Sequence, residues 1–326
     1  MDWDAVASRV LGGGDLSWEE GLAALRGPFE ELLPLLGAAF RVRAARSGRR
    51  VAVNVILNAR SGTCSEDCEW CSQSARAESD VPRYPLKSAA EIVEGAARAA
   101  AAGAGTYCVV TSMRGPSAKD LATIGEAARE IKRRFPLRLC TSLGLLDDAA
   151  ARTLAAAGVD RYNHNLETSR AFYPKLCTTH RYDDRVATIR AARAAGLSIC
   201  SGGILGLGES DEDRVDLAFA LRDLGVDALP VNLLDPRPGT ALAERPRPTP
   251  EEALRGLAMF RLAVPRASEI RIAGGREACL GAMQPLALFA ADSLFANGYL
   301  TTPGQGLDAD LAMIRAAGFT PEIHPE

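Results

Sequence analysis

The chain has 326 residues, 47% hydrophobic and 24% charged, with a formal net charge of −3, the balance of an ordinary globular protein. It offers no basic field for nucleic acid or anionic membrane. The start, Met1-Asp2-Trp3-Asp4, lacks a basic n-region and apolar core, and no apolar run approaches the ~18 residues of a membrane span, so a cytoplasmic protein is expected.

Residues 1–50 are predicted to form a helical lead-in. Ser17-Trp18-Glu19-Glu20 reads as a capping box, with Ser17 as N-cap and Glu20 reaching back. The arginines from Arg41 to Arg50 are expected to form a solvated helix face. From residue 51, apolar runs of strand length alternate with longer Ala-rich amphipathic stretches. Strands are predicted at Val51–Leu57, Thr106–Thr111, Arg138–Ser142, Arg161–Leu166, Ser198–Gly202, Ala228–Leu233, Glu269–Ala273 and Ser293–Ala296. Helices are predicted near 88–102, 117–134, 147–157, 182–195, 211–224, 249–263, 279–290 and 307–317, the first opened by a second capping box, Ser88-Ala89-Ala90-Glu91. Eight strand–helix units predict an α/β fold, a (β/α)8 TIM-type barrel over residues 51–326 with residues 1–50 as an N-terminal helical extension. An open barrel of six units with a separate C-terminal piece is the rival. Pro236, Pro238, Pro246, Pro248 and Pro250 cluster in one loop, but the alternation resumes beyond it, so no domain boundary falls there.

Eight cysteines without a secretion signal point to a reducing compartment and metal ligation. Three of them, Cys64, Cys68 and Cys71, stand directly after the first predicted strand in the spacing C-x3-C-x2-C. Three thiolates on one loop can hold three irons of a cubane cluster and leave the fourth iron open for chemistry. A structural zinc knot wants four tetrahedral ligands, and the next cysteine is Cys108, while the histidines are His164, His180 and His324. Trp70, just before the last cysteine, is placed to shield the cluster. The triplet resembles that of the radical S-adenosylmethionine (SAM) superfamily. In a barrel, the loops after the strands build the active site, which puts this loop at the mouth.

Cys108, Cys140 and Cys200 each fall inside a predicted strand, the second, third and fifth, and Arg271 falls inside the seventh. Side chains alternate along a strand, so inward cysteines would converge in the lumen, and a buried guanidinium needs a partner. Any one of the three is equally readable as core packing, because cysteine is a common buried residue. Asn165 and Asn232, at strand ends, can each give and accept hydrogen bonds as a cyclic urea requires, or can cap the strand ends. The Gly202–Gly208 stretch lacks the spacing of a dinucleotide loop, and close backbone approach to SAM is the expected use of its glycines.

Together these features resemble the biotin synthase family, on Cys64-x3-Cys68-x2-Cys71-Ser72-Gln73, Tyr162-Asn163-His164-Asn165-Leu166-Glu167-Thr168-Ser169, Cys200-Ser201-Gly202-Gly203-Ile204-Leu205-Gly206-Leu207-Gly208-Glu209 and Arg271-Ile272-Ala273-Gly274-Gly275-Arg276. The likeness runs from about Val51 to Thr302. It implies a dimeric (β/α)8 enzyme that inserts sulfur into dethiobiotin, with an electron donor such as flavodoxin or ferredoxin. By resemblance Cys64, Cys68 and Cys71 hold the SAM-binding 4Fe-4S cluster, while Cys108, Cys140, Cys200 and Arg271 hold an auxiliary 2Fe-2S cluster that supplies the sulfur. By resemblance too, Asn165 and Glu167 contact SAM, and Asn165 and Asn232 contact dethiobiotin. Glu167 stands where the family pattern has Asp, a longer reach to the same ribose hydroxyls. Cys177 is absent from that pattern and is either a packing residue or a ligand of a differently composed, four-iron auxiliary cluster. Cys279 reads as an ordinary helix residue. Two alternatives stay open: a radical SAM barrel doing rearrangement or C–C bond chemistry without sulfur transfer, and a non-catalytic iron-sulfur carrier.

Overall fold

Three helices form the lead-in, α1 (Trp3–Leu11), α2 (Trp18–Arg26) and α3 (Leu32–Ser47), in a computed structural model that describes residues 1–62 and 64–323. His324 lies outside the described residues. The Ser17/Glu20 capping box opens α2 as expected. The arginine-rich end of α3 departs from expectation: Arg43 is fully buried rather than solvated. Its guanidinium donates to the carbonyls of Ala291 at 3.0 Å, Arg50 at 2.6 Å and Gly48. Those acceptors lie at the start of the barrel strands, so Arg43 ties the extension to the floor of the barrel. A charge pattern along one helix could not show this, because the acceptors come from distant segments.

The barrel follows as β1 (Arg50–Arg60), α4 (Ala89–Ala101), β2 (Thr106–Thr111), α5 (Ala118–Arg134), β3 (Arg138–Ser142), α6 (Asp148–Ala156), β4 (Arg161–Asn163), α7 (Tyr182–Ala194), β5 (Ser198–Cys200), β6 (Gly203–Leu205) and α8 (Asp211–Asp223). It continues through β7 (Ala228–Leu233), α9 (Pro250–Ala263), β8 (Glu269–Ile272), α10 (Arg276–Leu280), α11 (Gln284–Ala287), β9 (Ser293–Phe295), α12 (Leu307–Ala316) and β10 (Thr320–Glu322). The pairings are parallel, and β9 returns to β1 in the register Ala52↔Ser293, which closes the ring. The expected (β/α)8 barrel is therefore present, with its main core between strands and helices.

Three details differ from the sequence expectation. The fifth strand is broken into β5 and β6 at Ser201-Gly202, where the backbone presses against its neighbour: a Cβ on Gly202 would sit 1.9 Å from the Pro230 carbonyl oxygen. The helix expected at 279–290 splits into α10, a single 3-10 turn and α11, because Gly281 has φ +50° and Pro285 cannot donate to the preceding turn. A short strand, β10, pairs with the start of β1. The C-terminal ends also shift, with β1 running on to Arg60 rather than Leu57 and β4 stopping at Asn163 rather than Leu166, and the site lies at those ends.

Candidate active site

The loop after β1 is pinned by its own polar groups. Ser61 pairs with Tyr84 across it, and Gln73 accepts from the Gly62 amide at 3.0 Å. This places Cys64, Cys68 and Cys71 in the wall of a cavity of about 330 Å³ at the C-terminal ends of the strands. All three are free thiols. Burial pushes the Cys71 thiol up to about 11 and also raises Cys64, so these sulfurs stay protonated until a metal takes the proton's place. The Gln73 amide donates to Cys71 Sγ at 3.4 Å. Trp70 is half-buried beside them, edge-on to Tyr173 at 6.2 Å, with the Arg185 guanidinium over both rings. The donor set fits a cluster with one open iron: three sulfurs converge on one cavity whose wall, among the described residues, contributes no fourth cysteine from that loop.

Deeper in the lumen, strand register brings the second set together. Cys108 on β2 pairs laterally with Cys140 on β3, and Cys200 stands on β5 two strands on. The three form a buried group with Ala228, Ala273 and Phe295, and Cys140 lies within hydrogen-bonding reach of both other sulfurs. Hydrogen bonding with Cys140, and then the Arg271 charge, hold the Cys108 and Cys200 thiols below their ordinary range. Arg271 is itself buried and is clamped by Glu269, which accepts from Nε at 3.1 Å and from Nη2. Nη1 stays outside that pair. Glu269 also accepts from Arg161 Nη1 at 2.6 Å and from Asn54 Nδ2 at 3.3 Å. Burial alone would raise the Glu269 carboxyl, but the Arg271 and Arg161 charges override it and hold it well below the usual carboxylate range. Three buried sulfurs and a fixed guanidinium suit an iron-sulfur group.

Between the two sets the wall is polar. Asn165 accepts from the Gly202 amide at 3.2 Å and donates to Glu167 at 3.3 Å. Glu167 has φ +71°, is raised by burial, and lies 3.7 Å from Arg185. Asn232 accepts from the Gly274 amide at 2.9 Å and donates to the Gly203 carbonyl at 3.2 Å. The two asparagines therefore brace the backbone, one of the two roles weighed from sequence, and both line the cavity. His164 also lines the cavity, with Nε2 unpartnered and burial keeping the ring neutral.

One cavity thus gathers Cys64, Cys68, Cys71, Cys108, Cys140, Arg271, Asn165, Glu167 and Asn232, with Cys200 just behind its wall. Cys177 is not with the lumen cysteines. Its sulfur lies 3.7 Å from Cys68, and it packs in the main core rather than in the group formed by Cys108, Cys140 and Cys200. A Cβ on Gly202 or Gly203 would meet the Pro230 or Glu167 backbone, and neither glycine is in the cavity wall. Cys279 packs in α10 and donates to the Leu234 carbonyl at 3.4 Å. Glu269 and Arg161 were missed as site residues, although Glu269 stands two positions before Arg271 and so shares its face of the strand. Arg185 and Tyr299 also enter the wall, and no local pattern in the sequence marks them.

Family models match the radical SAM superfamily over residues 59–221 and the Biotin and Thiamin Synthesis associated domain over residues 230–320. The biotin synthase of Salinibacter ruber is 51% identical over 321 residues, covering 98% of this chain and 89% of the relative. That of Geobacillus kaustophilus is 47% identical, covering 99% and 97%. Among solved structures, methylornithine synthase superposes with a TM-score of 0.84 at 22% identity, covering 97% of both chains. The FeFe-hydrogenase maturase HydG from Carboxydothermus hydrogenoformans gives 0.82 at 18%, covering 98% of this chain and 79% of that one. These two likenesses show the fold, whereas the two full-length sequence matches show more: the chain belongs to the biotin synthase family of radical SAM enzymes.

Proposed function

We propose that this enzyme converts dethiobiotin to biotin with both cysteine sets as cluster ligands. The observation that carries this reading is the single cavity onto which the triplet, Cys108, Cys140 and the two asparagines open, with Cys200 in one buried group with those two cysteines. Cys64, Cys68 and Cys71 would hold a 4Fe-4S cluster; Cys108, Cys140, Cys200 and Arg271 would hold an auxiliary cluster, read as 2Fe-2S. When bound, the first group supplies the electron that cleaves SAM to a 5′-deoxyadenosyl radical, and the second supplies the sulfur. The protein's own part is placement and exclusion. Glu167 and Asn165 offer acceptors and a donor to the SAM ribose, and Asn165 and Asn232 offer their remaining amide groups to the urea of dethiobiotin. Ile56, Phe295 and Tyr299 give the lumen an apolar wall that keeps water from the reacting carbons. Sulfur, radical and substrate carbon must meet at near-contact distance, which a closed barrel enforces better than an open surface.

On the same reading, residues 51–326 act as one barrel unit with residues 1–50 as its extension, the enzyme works as a homodimer in the cytoplasm, and a flavodoxin or ferredoxin feeds the triplet. No helix among the described residues is long and apolar enough to cross a membrane. The rivals, a radical enzyme without sulfur transfer and a passive carrier, leave the lumen cysteines and the asparagine pair without a task. The test is Mössbauer spectroscopy with iron and acid-labile sulfide counts after anaerobic reconstitution. Wild type should show two cluster types, and Cys108→Ala should keep only the triplet's signal. A one-cluster wild type, unchanged by Cys108→Ala, would contradict the reading.

A further inference from the structure

Arg114, Arg185, Arg237 and Arg271 all enter the cavity wall. Arg114 pairs with Glu66 at 3.0 Å, and Arg185 donates to Tyr173 at 2.6 Å and stands 3.7 Å from Glu167. Arg271 is buried, clamped by Glu269 beside the lumen cysteines. Arg237 differs. Its Nη2 reaches Asp235 Oδ2 at 2.5 Å, but Asp235 Oδ1 also accepts from Arg247 Nε at 2.8 Å. Two guanidinium groups thus share one carboxylate, which leaves a surplus of positive charge on this part of the wall. Among the described residues, Nε and Nη1 of Arg237 have no hydrogen-bond partner, and the side chain is 39% exposed.

The same wall connects Arg237 to Asn232. A Cβ on Gly274 would lie 3.1 Å from Asn232 Oδ1 and 2.9 Å from Tyr299 Cδ1, so amide and ring close over one bare glycine. Tyr299 and Thr302 bridge each other through backbone hydrogen bonds of 2.9 and 2.8 Å. Thr302 Oγ1 in turn accepts from Arg237 Nη2 at 2.6 Å. A continuous strip of wall therefore runs from the Asn232 amide, past a glycine and an aromatic ring, to a braced cation. Dethiobiotin has its groups in the same order: a cyclic urea, a chain of methylenes and a terminal carboxylate.

We propose that Arg237 is a specificity-determining residue that reads the carboxylate end of the substrate. The inference rests on the proposed function and deepens it. With the urea at Asn165 and Asn232, the methylene chain runs over Gly274 and the Tyr299 ring, and the carboxylate accepts from the open Nε or Nη1 of Arg237. A hydrogen bond between two ionised groups is stronger than one between neutral groups, and an arginine keeps its charge at any working pH. Thr302 and Asp235 hold the guanidinium in place beforehand, which lowers the cost of ordering it on binding. The carboxylate is the end of dethiobiotin remote from the reacting carbons, so Arg237 acts on affinity and alignment and not on the radical step.

The experiment is anaerobic calorimetric titration of the reconstituted full-length enzyme, with SAM present, against dethiobiotin and against its primary amide. Wild type, Arg237→Gln and Arg237→Lys would be compared. Wild type should bind the acid about tenfold more tightly than the amide, and Arg237→Gln should weaken the acid by about that factor. Affinity for the amide should stay nearly unchanged, so the preference disappears, and Arg237→Lys should restore most of it. Because the side chain is part-exposed, the wild-type preference should also shrink as salt is raised. If Arg237 only braces the loop, acid and amide weaken together in Arg237→Gln and the preference survives, which would overturn the inference. Equal affinities for acid and amide in wild type would overturn it too and leave the proposed function standing. A wild type that binds neither compound would instead defeat the proposed function, and the inference with it.

Discussion

Cys140→Ala is expected to lower biotin formation by more than about 100-fold while cleavage of SAM to 5′-deoxyadenosine continues. Cys140 lies centrally among the lumen sulfurs, within reach of both Cys108 and Cys200, so its loss removes the middle of the auxiliary set. It touches none of the triplet, whose cysteines stand on the loop after β1. The two half-reactions should therefore separate. Single-turnover assays that quantify 5′-deoxyadenosine and biotin in the same sample would show it. Biotin made at the wild-type level would mean that the lumen cysteines pack and do not supply sulfur. Loss of both products together would mean that the two cysteine sets are not independent.

Glu269→Ala should be the most destabilising single change in the lumen. It would leave Arg161 and Arg271, both buried, without their shared carboxylate, and breaking a buried ion pair from one side costs about 3–5 kcal/mol. It would also release the Arg271 fork, so the auxiliary cluster should be lost from a protein that retains the triplet's cluster. Glu269→Gln keeps the shape and tests the charge. The folded-state carboxyl is depressed below its unfolded value of about 4.3, so its contribution to stability is present above that pH. It fades as pH falls through the lower folded value. The stability gap between wild type and Glu269→Gln, measured by denaturant unfolding of the cluster-free proteins, should therefore be full near neutrality and shrink below about pH 4. A gap that widened in acid would show that Glu269 is not held ionised by the two arginines.

These expectations show what could be read from the chain and what could not. The triplet was legible because its chemistry is local: three sulfurs within one loop after one strand. The lumen set was legible through strand periodicity, which turns Cys108, Cys140, Cys200 and Arg271 inward without knowledge of their partners. The same rule applied to Glu269, two positions before Arg271, would have exposed the charge clamp. Cys177 was different. Its partner Cys68 is 109 residues away, and the contact arises only when the loop after the fourth strand folds back over the triplet. Arg43 was hidden for the same reason, since its carbonyl acceptor at Ala291 is 248 residues distant. The break in the helix at 279–290 was readable from Gly281 and Pro285, whereas the pairing of Thr320–Glu322 with β1 had no periodic pattern to announce it.

The central claim is that the sulfur of the product comes from a group held by the lumen cysteines, and isotopic labelling tests it most directly. The enzyme would be reconstituted with heavy-isotope sulfide, freed of excess sulfide, and given SAM, reductant and dethiobiotin for one turnover before mass spectrometry of the biotin. The account predicts labelled biotin from wild type and from Cys177→Ala, and none from Cys140→Ala. Unlabelled biotin from the labelled wild-type enzyme would contradict it.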